Sequence, residues 1–326
     1  MNFDGKKQGV LAVYRILKKY SDADHILTTP QIQEYLKNEY GLDLDRRTIY
    51  SHCEALNEFC ELSRYEDNKK GTYLIDRPLE ESEVQLLTQI IYASPYVSRE
   101  ETTDLINRLF GTQSVYAKKS FTETIYSPND RKSGNRDFFL NISMLQDAIQ
   151  SKKQVSLDYM KYNTNKELVK RKNEKYILHP YYIVFDNDRY YLLCKTKGHP
   201  EISHYRIDKM KNIRILDEKS DPLEKSFDPQ AYARNKVFMH GGEDINVQLR
   251  CNNSVLDHVI EQFGTGISIV PRENEQFDTM VKTTRQGIVY WSMQYMENVE
   301  ILSPENIRNE FIEKLQKTLK KYNKEG

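Results

Sequence analysis

Two short stretches, RYYLLCK at 189–195 and HYRIDKM at 204–210, each set tyrosine beside arginine in a β-branched and aromatic context that reads as strand. A buried strand has no use for the arginines, and a solvated strand has none for the tyrosines. A surface that holds an anion or a nucleotide uses both, because guanidinium neutralises phosphate while a phenol ring stacks and hydrogen-bonds. The region around them is basic: residues 150–215 hold 15 Lys and Arg against 7 Asp and Glu, a net of +8. Its cations include Lys161, Arg189, Lys195, Arg206 and Lys209, and its rings include Tyr159, Tyr181, Tyr182, Tyr190, Tyr191 and Tyr205. Neighbours in a strand face opposite ways, so only one of Tyr190 and Tyr191 lines any given surface. The plainer reading is a tyrosine-rich core with a basic exterior. It suits any single ring, whereas the cluster as a whole points to anion binding.

A second constellation lies at 46–59, RRTIYSHCEALNEF. Ile49, Cys53 and Leu56 fall on one helical face, leaving Arg46, Arg47, Thr48, Tyr50, Ser51 and His52 on the other. Arginine forks onto guanine O6 and N7, and short hydroxyls and imidazole reach bases or phosphates. Lys69 and Lys70, at the tip of a hairpin pattern, suit phosphate contact. The alternative is a helical interaction domain with a solvated face. Charge does not decide between them, since residues 1–75 hold 11 basic and 12 acidic residues.

Catalytic patterns are missing. Seven histidines occur without zinc spacing, and no nucleophile elbow, Walker loop or dinucleotide fingerprint is present. Asp186 and Asp188 flank a hairpin turn, where Asp and Asn are ordinary turn residues. The expectation is no enzyme, no metal and no cofactor. Four cysteines (Cys53, Cys60, Cys194, Cys251) are scattered without redox spacing, which fits a reducing cytosol. With no signal-like N-terminus and no long apolar window, the expected location is cytoplasmic, away from membranes. The whole chain of 326 residues is neutral, with 48 basic and 48 acidic side chains, so a nucleic-acid argument must be local.

The elements that must position these groups fall into four regions. Residues 1–76 predict three helices and a hairpin, a winged helix-turn-helix, with Thr29 and Asp45 as caps and Gly41 as a stop. Residues 77–136 predict a helical linker and dimerisation region, ending in the turn-rich SPNDRKSGNRD. Residues 137–218 predict a helix and then closely spaced strands, a small barrel or strongly bent sheet. Residues 240–326 predict the strand and helix order βαββαβ of a ferredoxin-like domain. The fold class is therefore α+β and multidomain.

From 137 to 216 the sequence resembles a WYL domain. Its name-giving Trp-Tyr-Leu stands here as Tyr190-Tyr191-Leu192. The strand ending in tyrosine is VSLDY, ending at Tyr159; the proline element is His179-Pro180; the downstream motif is Tyr205-Arg206-Ile207-Asp208-Lys209-Met210. The flanking regions resemble the winged helix and the C-terminal WCX extension of the same proteins. The resemblance implies a transcriptional regulator with a five-stranded Sm-like barrel that senses single-stranded nucleic acid or a nucleotide-like anionic effector. It further implies a homodimer on an inverted-repeat duplex operator, and links to phage defence or DNA damage. Carried over by position, Tyr159, Arg189, Tyr191, His204 and Arg206 are the ligand-face candidates, joined by Lys161 from the basic set, with Asp208 orienting an arginine or capping a turn. Tyr190 for tryptophan and Lys209 for arginine are departures that bear on the ligand. The competing reading is a nucleic-acid-processing enzyme, or an RNA- or ssDNA-binding factor that uses the basic barrel directly.

Overall fold

The computed structural model describes residues 5–63, 68–117, 132–133 and 135–323. The chain divides into two compact units, 1–136 and 137–326, and its architecture is mixed, with helices and antiparallel sheets. No helix among the described residues is long and apolar enough to cross a membrane.

The first unit opens with α1 (Gly5–Tyr20), α2 (Thr29–Tyr40) and α3 (Arg46–Leu56). Their apolar stripes meet in one core of Val13, Ile16, Leu17, Ile32, Leu36 and Ile49, the burial that stabilises short helices whose own propensity is marginal. The cap of α2 is Thr28, one residue before the expected Thr29, and Gln31 Oε1 accepts its backbone N–H at 2.8 Å. Gly41, at φ 64°, ends the helix in the left-handed conformation that glycine adopts without a Cβ penalty. Asp45 caps α3, its Oδ1 accepting from the N–H groups of Arg47 (2.8 Å) and Thr48 (3.0 Å).

The expected hairpin after α3 is represented by one antiparallel bridge, Leu62 with Leu74, and a second, Leu27 with Thr72, ties it to the segment before α2; its residues 64–67 lie outside the described residues. Gly71 is required here: a Cβ at this position would come within 2.2 Å of the Leu27 carbonyl oxygen. Two further helices follow, α4 (Glu81–Ala93) and α5 (Arg99–Phe110), packed through Val84, Ile106 and Phe110. Residues 118–131 and 134 of the expected linker lie outside the described residues.

The second unit begins with α6 (Phe138–Gln150). Strands β1 (Lys153–Tyr162), β2 (Leu168–Lys170), β3 (Tyr176–Asp186), β4 (Arg189–Thr196), β5 (His199–Arg206) and β6 (Met210–Lys219) form one antiparallel sheet in the order β2-β1-β3-β4-β5, with β6 also paired to β1. The sheet thus has six strands rather than the expected five, the addition being short β2. The stretch HYRIDKM, expected as strand throughout, is broken by a 3-10 turn at Ile207–Lys209 that separates β5 from β6. Bulges in the β1–β6 and β3–β4 ladders bend the sheet.

A connector follows, with α7 (Pro229–Arg234) and a 3-10 turn at Val237–Met239. The C-terminal region runs β7 (Asp244–Asn252), α8 (Leu256–Phe263), β8 (Ser268–Arg272), β9 (Gln276–Thr284), α9 (Arg285–Gln294), β10 (Val299–Ser303) and α10 (Glu305–Tyr322). Its sheet is antiparallel in the order β10-β7-β9-β8. One face is buried, with Trp291, Phe277, Val247, Leu249 and Phe311 in its core.

Candidate functional site

In the first unit, α3 presents a polar face. Arg46 and Arg47 are exposed, as are Tyr50 and Ser51. Arg46 donates to the Tyr50 hydroxyl at 2.9 Å and lies over its ring, 5.3 Å from the centroid, so these two side chains act as one planar, cationic group. Thr48 is half-buried and spends its hydroxyl on Asp45 Oδ2 at 2.8 Å, which leaves it a cap partner. His52 departs from the expected face. It is buried, with Leu44 and Gly9 against it, and a Cβ on Gly9 would come within 2.5 Å of its Nε2. The periodicity of α3 places His52 beside Ile49 and Leu56 in this tight packing rather than toward solvent. Lys69 and Lys70 are exposed, and Asn68 accepts the Lys70 N–H at 2.7 Å to shape their turn.

In the second unit, Tyr190 and Tyr191 point to opposite faces of the sheet. Tyr190 packs edge-on to Phe138 of α6, with centroids 5.5 Å apart, and against Phe185 at 4.8 Å. Tyr191 pairs in register with Arg206. The charges acting on Tyr191 are Arg206, Asp186, Arg189 and Asp208, while burial raises its phenol. Arg206 is clamped by Asp208 through Nε–Oδ1 (3.1 Å) and Nη2–Oδ2 (2.7 Å), a two-point fork that fixes the guanidinium plane. Lys209, at the end of the 3-10 turn, is pushed below the ordinary lysine range by burial and then by Arg206, Arg171 and Arg189. Arg189 and Arg206 therefore act on Tyr191, and both act together with Arg171 on the neighbouring Lys209. Like charges held this close favour a bound anion over an empty surface.

Three expected ligand residues take other places. Tyr159 is 8% exposed. Its hydroxyl accepts the Arg206 backbone N–H at 3.1 Å, and burial pushes its phenol up to about 12. Its ring meets Tyr205 edge-to-face at 4.9 Å and Tyr176 at 5.9 Å. It supports the end of β5 and offers no open stacking face. His204 has both ring nitrogens engaged, Nδ1 with the Met239 carbonyl at 2.8 Å and Nε2 with the Tyr232 hydroxyl at 3.0 Å. Lys161 is exposed on the β1–β2 hairpin opposite Val169.

Two contributors escaped the sequence reading. Arg171 joins the cation group and donates its backbone N–H to the Tyr159 carbonyl at 2.8 Å. Asp158 is buried and anchors the same segment. Its Oδ2 accepts from Asn212 (2.8 Å) and Lys175 (2.9 Å), and Lys170 lies 3.3 Å from Oδ1. These donors, Asn212 first, hold its carboxyl down at about 2 against the pull of burial. The run VKRKNEK at 169–175 was the available signal. A groove of about 680 Å³ runs beside β5, with Arg171, His199, His204, Tyr205 and Gly241 among its walls.

Residues 141–215 match the WYL domain, so the cation group around Tyr191 belongs to a WYL domain. No curated protein matches the chain. Among solved structures, it is similar to Proteasome accessory factor B/C (PafBC) of Arthrobacter aurescens, with 12% identity, 97% of this chain and 49% of that chain covered, and a TM-score of 0.27. It is also similar to a CRISPR Cas-related protein, with 15% identity, 97% and 85% covered, and a TM-score of 0.37. The chain spans about half the length of PafBC.

Proposed function

We propose that this protein is a dimeric, DNA-binding transcriptional regulator whose WYL domain senses a nucleic-acid-derived anion and alters operator binding. The observation that carries the reading is Tyr191 paired in register with Arg206 and acted on by Arg189, with Arg171, Arg189 and Arg206 all acting on Lys209, within residues matched to the WYL domain. In this reading the three helices and the 62–74 bridge of the first unit are a winged helix-turn-helix. Arg46, Arg47, Tyr50 and Ser51 face the major groove, and Lys69 and Lys70 lie along phosphates. The bent sheet is an Sm-like barrel, and the β10-β7-β9-β8 sheet with its helices is a ferredoxin-like WCX domain. The protein acts in the cytoplasm, on an inverted-repeat operator, without catalysis, metal or cofactor.

The effector binds by phosphate neutralisation more than by stacking. Tyr191 is the ring set among the cations, while Tyr159 is buried and packed against Tyr176 and Tyr205. An effector acts only if it binds the two arrangements of the dimer with different affinity. The test is fluorescence anisotropy of an upstream duplex at fixed salt, with and without a short single-stranded oligonucleotide. A shift in duplex affinity that Arg206→Ala abolishes supports the regulator. Degradation of either nucleic acid on adding Mg²⁺ would replace it with the processing-enzyme reading.

A further inference from the structure

The engagement of His204 gives it a different task from ligand binding. A carbonyl oxygen only accepts, so the contact with Met239 requires a proton on Nδ1. In the neutral ring Nε2 is then an acceptor, and the Tyr232 hydroxyl donates to it. Tyr232 continues the chain. Lys236 Nζ lies 4.6 Å from its ring centroid, is nearly fully buried, and donates to the Gly242 carbonyl (2.7 Å) and to Asp244 Oδ1 (2.6 Å). Asp244 is the first residue of β7, and its other oxygen accepts from Asn235 at 2.8 Å. A path of hydrogen bonds and one cation–π contact therefore runs from the end of β5, two residues before Arg206, to the start of the C-terminal sheet.

The backbone at this point is strained in a way that serves the path. Phe238 and Met239 both have φ of 52°, a left-handed conformation that side chains with a Cβ adopt at a cost. Two such residues in succession turn the Met239 carbonyl to His204. Beside it, the His240 carbonyl accepts from Thr284, which caps α9. On the other side, Phe227 stacks on Tyr182 of β3, and the Asp221 N–H donates to His179 Nδ1 at 2.9 Å. The connector is thus tied to both sheets by named contacts.

We propose that His204, Tyr232, Lys236 and Asp244 form a clasp that couples the mobility of β5 to that of the C-terminal sheet, with His204 as a positioning residue. The clasp needs no effector, so it stands or falls separately from the sensing role of the cation group; if that role holds, the clasp is the route by which a displacement at Arg206 reaches the C-terminal sheet.

The test is hydrogen exchange on the full chain, comparing wild type, Tyr232→Phe, Asp244→Asn and the double variant. Tyr232→Phe keeps the ring and removes only the donor. It should speed exchange roughly fivefold to tenfold, the scale of one hydrogen bond, in both 199–206 and 236–248, and leave 155–157 unchanged. Asp244→Asn, which does not touch β5, should also speed exchange in 199–206, and should add little in the Tyr232→Phe background. If Asp244→Asn proves too unstable to fold, Tyr232→Phe alone decides, by whether exchange at 244–248 changes. The proposal is overturned if Tyr232→Phe affects only β5, if neither variant changes either segment, or if exchange accelerates uniformly through both sheets.

Discussion

Replacing Asp158 with asparagine tests how the basic segment is held against the sheet. The carboxyl sits at about 2, against an ordinary value of 3.8, because Asn212, Lys175 and Lys170 surround its ionised form. A difference of that size corresponds to about 2 kcal/mol of folding stability when the group is ionised in both states. Lys170 and Lys175 are each nearly half exposed and regain water when the charge is removed, so the loss is not compounded by a stranded buried cation. The amide oxygen of the substituted side chain still accepts from Asn212. The expected penalty of Asp158→Asn is therefore about 2 kcal/mol at pH 7. Because the folded state depresses the pKa, the wild-type advantage is complete above the unfolded value and disappears as pH falls through the folded one. Roughly half of it should be gone at pH 3, where the native carboxyl is still mostly ionised and the unfolded one is protonated. Urea unfolding at pH 7, 5 and 3 measures the gap. Near-ultraviolet tyrosine dichroism follows the chain as a whole, since its tyrosines are spread over both units, and Trp291 fluorescence follows the C-terminal core. A gap that is absent at pH 7, or that stays constant down to pH 3, would refute the assignment of Asp158 as an ionised anchor.

Other substitutions separate the two candidate surfaces. Arg206→Ala should weaken single-stranded oligonucleotide binding by about tenfold and reduce the slope of log K against log salt by about 0.7, one phosphate contact; an unchanged slope removes Arg206 from the interface. Arg47→Ala should cost duplex affinity about 1–3 kcal/mol while oligonucleotide affinity stays the same, and equal loss of both in anisotropy titrations would contradict separate sites. Gly71→Ala should destabilise the first unit by about 2 kcal/mol or more, because its Cβ would meet the Leu27 carbonyl; a thermal melt within a degree of wild type would show that the two bridges at Leu27 and Leu62 yield freely.

What was legible in the sequence had a period or a cap behind it. The stripe Ile49–Cys53–Leu56, the Asp45 cap and the Gly41 stop define their helices locally, and they appear in the structure. Alternation placed Tyr190 and Tyr191 on opposite faces without saying which face was open; that was decided by Phe138, more than fifty residues upstream. The buried position of Tyr159 was not readable for the same reason, since Arg206, which donates a hydrogen bond to it, is far away in sequence. His52 was legible from its helical spacing, three residues after Ile49 and four before Leu56, although Gly9, which lies against it, was not. His204 carries no sign that both nitrogens are taken, since Tyr232 and Met239 lie in a connector with little periodicity. Arg171 was one cation in a run of them until the Tyr159 carbonyl and the short strand β2 fixed its place.

A neutral chain would ordinarily argue against a polyanionic partner, but the sum hides the local distribution of charge. Charges separated by more than about 8 Å at physiological salt are largely screened from one another, so a partner feels the local set and not the sum. The local set is the net of +8 over 150–215, further concentrated where Arg171, Arg189 and Arg206 all act on Lys209. Asp208 lies within this group, but its two oxygens are committed to Arg206. It orients Arg206 and acts on Lys209 as well, a single negative charge among four positive ones. An anion that met this face would replace repulsion among the cations with attraction and would leave the Arg206–Asp208 fork intact. That arrangement makes affinity depend on how many phosphates reach the cations, and the salt slope, rather than the affinity at a single condition, is the quantity that reads it.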